Sequence, residues 1–140
     1  MTEIIERPLP GIHTDNERYW ASAHERALEL PRCADCGEVF YPLSNRCRAC
    51  LSAALEWHPV SGKATLVTWN VMHQLYDPAF KDLVPYVVGV VELEEGARMI
   101  SNVVGAPHDA LRVGMDLALE YVDISPEVTL PVYRPAGSAP

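Results

Sequence analysis

From residue 63 to residue 134 apolar and polar residues alternate for much of the chain, the period of strands with one buried face. Segment 63–73 sets Val67, Trp69 and Val71 on one side and Thr68 and Asn70 on the other. Segment 86–93, YVVGVVEL, is β-branched and apolar on both faces, with Gly89 where a barrel strand would bend. Glu94-Glu95-Gly96 turns that run back onto a strand over 98–104. A connection over 105–114 has room for about one helical turn. Segment 115–124 alternates again, with Leu117, Leu119 and Tyr121 inward. Segment 128–134 is the last strand, and Pro131, which has no N–H to donate, marks it as an edge. Segment 74–85, with Asp77-Pro78 and Val84-Pro85, is a loop long enough to be functional or mobile. Five strands with a central hairpin and a short helical link between the third and fourth fit a Greek-key barrel of the OB type.

The chain ahead of the barrel reads differently. Residues 1–13 form an extended arm, since Pro8 and Pro10 block regular structure. Thr14-Asp15-Asn16-Glu17 is a capping box, and good helix formers follow it to Leu30, where Pro31 ends the run. One predicted helix face carries Trp20, Ala23, His24, Ala27 and Leu28; the other carries Arg18, Ser22, Glu25 and Glu29. A face built on alanine with one tryptophan suits close docking on a partner or neighbouring module, and packing on its own domain fits the pattern equally. Residues 55–60 lead into the Ser61-Gly62 turn. The expected organisation is an arm and helix over 1–30, a small module over 31–54, a barrel over 55–136 and a tail over 137–140.

The module over 31–54 holds all four cysteines, as Cys33-x-x-Cys36 and Cys47-x-x-Cys50. Each C-x-x-C turn brings two sulfurs onto one ion, and two such turns complete a tetrahedron, so the segment reads as a zinc ribbon. Gly37 directly after the first pair can take the positive φ that a tight metal-binding turn needs. Val39-Phe40-Tyr41 supplies a short apolar strand to cover the metal. Disulfides, in three possible connectivities, would need an oxidising compartment, whereas iron would use the same four ligands. A site closed by four thiolates holds structure and performs no chemistry.

Composition narrows the function. Hydrophobic residues at 49% suffice for a core, and twelve prolines with 8% aromatics favour a mainly β, loop-rich protein. The N-terminal residues lack the basic and apolar regions of a signal peptide, and no apolar run is long enough to span a bilayer, so a cytoplasmic protein is expected. Zinc ribbons and OB barrels both occur in nucleic-acid binders, which makes single-stranded nucleic acid the obvious alternative ligand. The formal net charge of −8 opposes it. The barrel half carries only five Lys/Arg, spread singly, against about twice as many carboxylates. His13, His24, His58, His73 and His108 fall in different elements, and neither a nucleophile elbow nor a glycine-rich phosphate cradle is present. A stand-alone acyl-CoA hydrolase or transferase is therefore the least favoured reading. Arg32, Arg46 and Lys63 are candidates for the phosphates of a ligand such as coenzyme A, while for Arg46 and Arg48, flanking Cys47, balancing the charge of a tetrathiolate is the default reading.

The motifs in order resemble a known family. The helix with Trp20, LPRCADCGEVFYP, the second C-x-x-C, SGKATLVTW, PYVVGVVEL with its EEG turn, VGMDL and the closing LPVYRPA are similar to the zinc-ribbon OB-fold proteins that accompany thiolases and related acyl-CoA enzymes. The likeness runs from about Tyr19 to Ala136. It implies a rubredoxin-like ribbon on an OB barrel, acting as a non-catalytic partner of a thiolase, acyltransferase or lipid-transfer-protein-like aldolase. Such a partner helps to hold or hand over acyl-CoA. By motif, Cys33, Cys36, Cys47 and Cys50 carry over as structural Zn2+ ligands. Tyr41-Pro42-Leu43-Ser44 departs from the family's aromatic-Pro-Pro-Arg run, so the positive contact expected there has no direct counterpart.

Overall fold

The computed structural model describes residues 7–137. The far end of the expected arm, residues 1–6, and the last three residues lie outside them. Residues 7–13 have no regular structure, as the two prolines require. One helix, α1 (Glu17–His24), follows. Its predicted capping box does not form. Asn16 is the N-cap and makes no side-chain cap bond; its Oδ1 instead accepts the His13 N–H at 2.8 Å.

α1 also stops well short of Leu30, and the reason is tertiary. Arg26 takes φ +59°. Its N–H reaches the Ala23 carbonyl at 3.0 Å, and the Ala27 N–H reaches that of Ser22 at 2.9 Å. These two bonds are the closing pattern of a Schellman cap. The chain then enters strand β1 (Glu29–Cys33), paired antiparallel with β2 (Leu55–Pro59). Leu28 and Leu30 are fully buried by this path. Tyr121 Oη accepts the Leu28 N–H at 2.9 Å and Ser22 Oγ accepts that of Glu29 at 3.0 Å. Helix propensity over 25–30 is worth tenths of a kcal/mol per residue, and burying two leucines outweighs it. Pro31 therefore sits within a strand, opposite Trp57. The buried face of α1 is Tyr19, Ser22 and Ala23, packed on its own β1 and on the two strands over Asp116–Asp123 and Thr129–Pro135 rather than left for a partner.

The remaining strands are β3 (Lys63–Met72), β4 (Tyr86–Leu93), β5 (Arg98–Val103), β6 (Asp116–Asp123) and β7 (Thr129–Pro135). They close a barrel in the order β3-β4-β5-β7-β6. Strand β3 does not keep one parity. Leu66 pairs with Val91 but Thr68 pairs with Val90, so Val67 bulges. Inward residues change from Ala64 and Leu66 to Trp69 and Val71 across it. Gly89 sits at a close approach: a Cβ there would lie 3.0 Å from Val103 Cγ2 and 3.2 Å from Leu66 Cδ1, so those side chains would have to give way. The barrel closes by a short parallel seam, Val103 opposite Tyr133. Pro131 lies at that seam, its carbonyl accepting Ser101 Oγ–H at 2.8 Å. The edge expected from Pro131 is thus a thin closure instead of an open strand.

A continuous core runs from Tyr19 and Leu30 through Val39 to Leu66, Val91, Met99 and Tyr133, joining helix, ribbon sheet and barrel. Among the described residues no helix is long and apolar enough to cross a membrane.

Candidate metal centre and barrel cavity

The two knuckles are built alike. In the first, the Gly37 N–H returns to the Cys33 carbonyl at 2.8 Å and the Cys33 N–H meets that of Glu38 at 2.9 Å. In the second, Leu51 N–H returns to the Cys47 carbonyl at 2.9 Å and Cys47 N–H meets that of Ser52 at 2.8 Å. The matching positions Gly37 and Leu51 have φ +82° and +64°. Glycine reaches that region freely, whereas leucine does so against its Cβ. Of the covering strand expected at 39–41, only a single bridge forms, between Val39 and Arg32. Phe40 does cover the site, packed with Cys33 and Cys47 beneath Leu55.

The four sulfurs lie within 4.8 Å of one another. Cys33 Sγ is 3.6 Å from Cys50 Sγ, and Cys36 Sγ is 3.5 Å from Cys47 Sγ. A tetrahedron with Zn–S bonds near 2.3 Å has sulfurs about 3.8 Å apart, so the set fits a metal; a disulfide needs about 2.05 Å. The Cys36 N–H points at Cys33 Sγ at 3.5 Å, and the Ala49 N–H points at Cys47 Sγ at 3.4 Å. The Cys36 amide, more than any other group, brings the Cys33 thiol down to about 7. At Cys36 the Glu38 amide acts in the same sense, but the neighbouring sulfurs, Cys47 first, together with desolvation push the thiol up to about 12. Four sulfurs this close cannot all shed protons without a cation between them. With zinc bound, the charge of the ion would hold all four as thiolates, and this is the chemistry the centre supplies.

The candidate phosphate contacts are not gathered around one space. Arg32 on β1 pairs with Glu56 at 2.6 Å. Arg46 and Arg48 hold the second knuckle, donating to the Leu51 carbonyl at 3.5 Å and the Tyr41 carbonyl at 2.9 Å. Lys63 begins β3 and lies 4.0 Å from Glu94. None of the three candidates, Arg32, Arg46 and Lys63, lines the apolar cavity at the end of the barrel.

That cavity, of about 350 Å³, lies where β4 begins and β5 ends. The 74–85 loop forms one wall. Asp77 Oδ1 accepts the Ala79 N–H at 2.8 Å and caps a 3-10 turn, Pro78–Phe80, which sets Phe80 against Tyr86 with ring centroids 5.8 Å apart. Arg7 comes in from the arm, its guanidinium 4.9 Å from the centre of the Phe80 ring. His108, from the 105–114 link, and Val132 on β7 complete the outline. No spacing in the sequence joins Arg7, Phe80 and His108, which only barrel closure brings together.

Models of two domains match this chain in tandem. The ChsH2 rubredoxin-like zinc ribbon domain matches residues 20–56, and the ChsH2 C-terminal OB-fold domain matches residues 57–122. A DUF35 domain-containing scaffold protein of Methanothermobacter thermautotrophicus is 34% identical over 116 residues, 81% of this chain and 86% of that protein. The chain belongs to the DUF35 family. Its fold agrees with a solved DUF35 chain titled "Ltp2-ChsH2(DUF35) aldolase", at a TM-score of 0.83 and 37% identity, over 91% of this chain and 99% of that one. A probable enoyl-CoA hydratase alpha subunit of Thermomonospora curvata is 38% identical over 132 residues, 93% of this chain. The DUF35 chain described here spans 40% of that subunit's length.

Proposed function

We propose that this DUF35 protein is a non-catalytic accessory subunit that docks on a thiolase-superfamily enzyme, an aldolase, thiolase or acyltransferase, and assists acyl-CoA binding or transfer. Cys33, Cys36, Cys47 and Cys50 hold a structural zinc that fixes the ribbon against the barrel. The observation that carries the reading is the match, over 99% of its length, to a solved chain whose title joins a DUF35 protein to an aldolase. The scaffold name of the archaeal relative points the same way. Co-expression with a thiolase-like protein of the same host should give a stable complex whose turnover of acyl-CoA falls when this chain is left out. Full activity of the partner alone, with no complex on size exclusion, would remove the role.

The hydratase name favours a second reading, in which the ribbon and barrel serve a hydratase assembly. Capture of host proteins on the tagged chain, read by mass spectrometry, separates the two by the class of enzyme retained. The closed four-sulfur site has no open coordination position, so the zinc serves architecture in either case.

A further inference from the structure

The cavity at the barrel end has the chemistry of a ligand site of its own. Its walls are aliphatic and aromatic, among them Phe80, Leu83, Val104 and Leu130, and none of its lining residues is an Asp or Glu. Its volume of about 350 Å³ falls in the range of small-molecule sites, roughly 300–1,000 Å³. The one fixed charge is Arg7, in a chain of net charge −8. Arg7 Nε is buried and has no hydrogen-bond partner among the described residues. A buried donor without an acceptor is costly, and a charged one more so. The face of the guanidinium is taken by Phe80 at 4.9 Å, and its two Nη groups, which make no hydrogen bond among the described residues, remain for an oxygen acceptor.

We propose that this cavity binds an aliphatic carboxylate, the chain against the Phe80, Val104 and Leu130 walls and the carboxylate oxygens on the Arg7 guanidinium. Arg7 reads the head group and the walls read the chain. A bare phosphate has no apolar part for these walls, and a neutral alcohol offers Arg7 neither an opposite charge nor a bidentate pair of oxygens. This site does not rest on the accessory role, since its binding is read on this chain alone.

The test is calorimetric titration of the purified full chain with decanoate, 1-decanol and coenzyme A. Saturable decanoate binding is expected, weakened about tenfold or more by Arg7→Met, with decanol changed less than twofold, as for loss of one charge-assisted bond. Ala106→Phe, which fills the cavity, should weaken both ligands. Should that variant melt at a lower temperature than the parent, the Arg7→Met comparison decides, since Arg7 lies in the irregular arm and supports no strand. No saturable decanoate binding would overturn the proposal. So would an equal loss of decanol and decanoate in Arg7→Met, or displacement of decanoate by coenzyme A at equal concentration.

Discussion

The ribbon and the barrel solve the same problem with opposite means. The ribbon's own buried cluster is Cys33, Phe40 and Cys47, with Leu55 packed on it. That is too little apolar surface to order some twenty residues against their conformational entropy. The barrel buries Leu66, Val91, Met99, Leu117 and Tyr133 in a closed ladder, an apolar core of the kind that orders a domain without an ion. In one small chain, then, coordination can stand in for a core where the core is small, and the failure modes of the two halves should differ.

Removing the metal should separate them most sharply. Structural zinc of this class contributes about 10–16 kcal/mol of apparent free energy to its module. A strong chelator should therefore release one zinc per chain and expose the amides of the two knuckles to hydrogen exchange. Barrel amides in β3, β4 and β5 should stay protected. Loss of protection throughout would mean that the barrel, too, depends on the ion.

Truncating the barrel core is the converse experiment, with a smaller effect. Leu66 is 1% exposed, and Leu66→Ala should cost about 2–5 kcal/mol in urea unfolding. Zinc content, measured by a chromogenic chelator, should not change. A fall in bound zinc to half or less would show that the two regions share one cooperative unit.

The link between helix and barrel gives a pH-dependent effect. Thr129 Oγ1 donates to Asp123 Oδ1 at 2.6 Å and meets His24 Nδ1 at 3.0 Å, while Arg26 pairs with Asp123 at 2.8 Å. The Thr129 hydroxyl first, and Arg26 after it, hold the Asp123 carboxyl below its ordinary value of 3.8. A group depressed on folding adds stability above its unfolded value, and that stability is lost as pH falls through the folded one. Asp123→Asn should lower the urea midpoint at pH 7 and lose less than the parent between pH 4 and pH 2. Identical acid limbs for the two proteins would show that this contact does not contribute.

The smallest expected effect lies in the ribbon. Leu51 is 70% exposed at φ +64°, so glycine there loses little burial and relieves a conformation costing leucine about 1–2 kcal/mol. Glycine's greater freedom in the unfolded chain returns about 0.4–1 kcal/mol of that. Leu51→Gly should raise stability by about 0.5–1 kcal/mol in the zinc-bound protein. A loss of stability would show that Leu51 is held in this conformation by packing beyond what its exposure indicates.

Much of this fold is legible in the order of residues, and the exceptions have physical causes. The paired C-x-x-C spacing marks the metal centre because ligand geometry is local: each knuckle is a turn of a few residues whose bonds close on themselves. Period-two alternation marks β3 and β6, a β-branched apolar run marks β4, and the turn at Glu94-Glu95-Gly96 marks β5. Alternation has one limit. It gives the wrong inner face for part of β3, because a bulge at Val67 changes parity within a single apolar run. Propensity carries the helix too far, over 25–30, where Leu28 and Leu30 suit a helix but are claimed by burial against the barrel and pairing with β2.

By itself, the sequence determined what short-range physics can settle: four ligands at metal spacing, strands by their alternation, turns at glycine and proline. Tertiary packing decided where β1 leaves the helix, and barrel closure decided how Pro131 meets a seam and that Arg7, Phe80 and His108 face one cavity. The physical reason is sequence distance. Contacts between residues a hundred positions apart depend on the whole ladder being formed, and no local pattern records them.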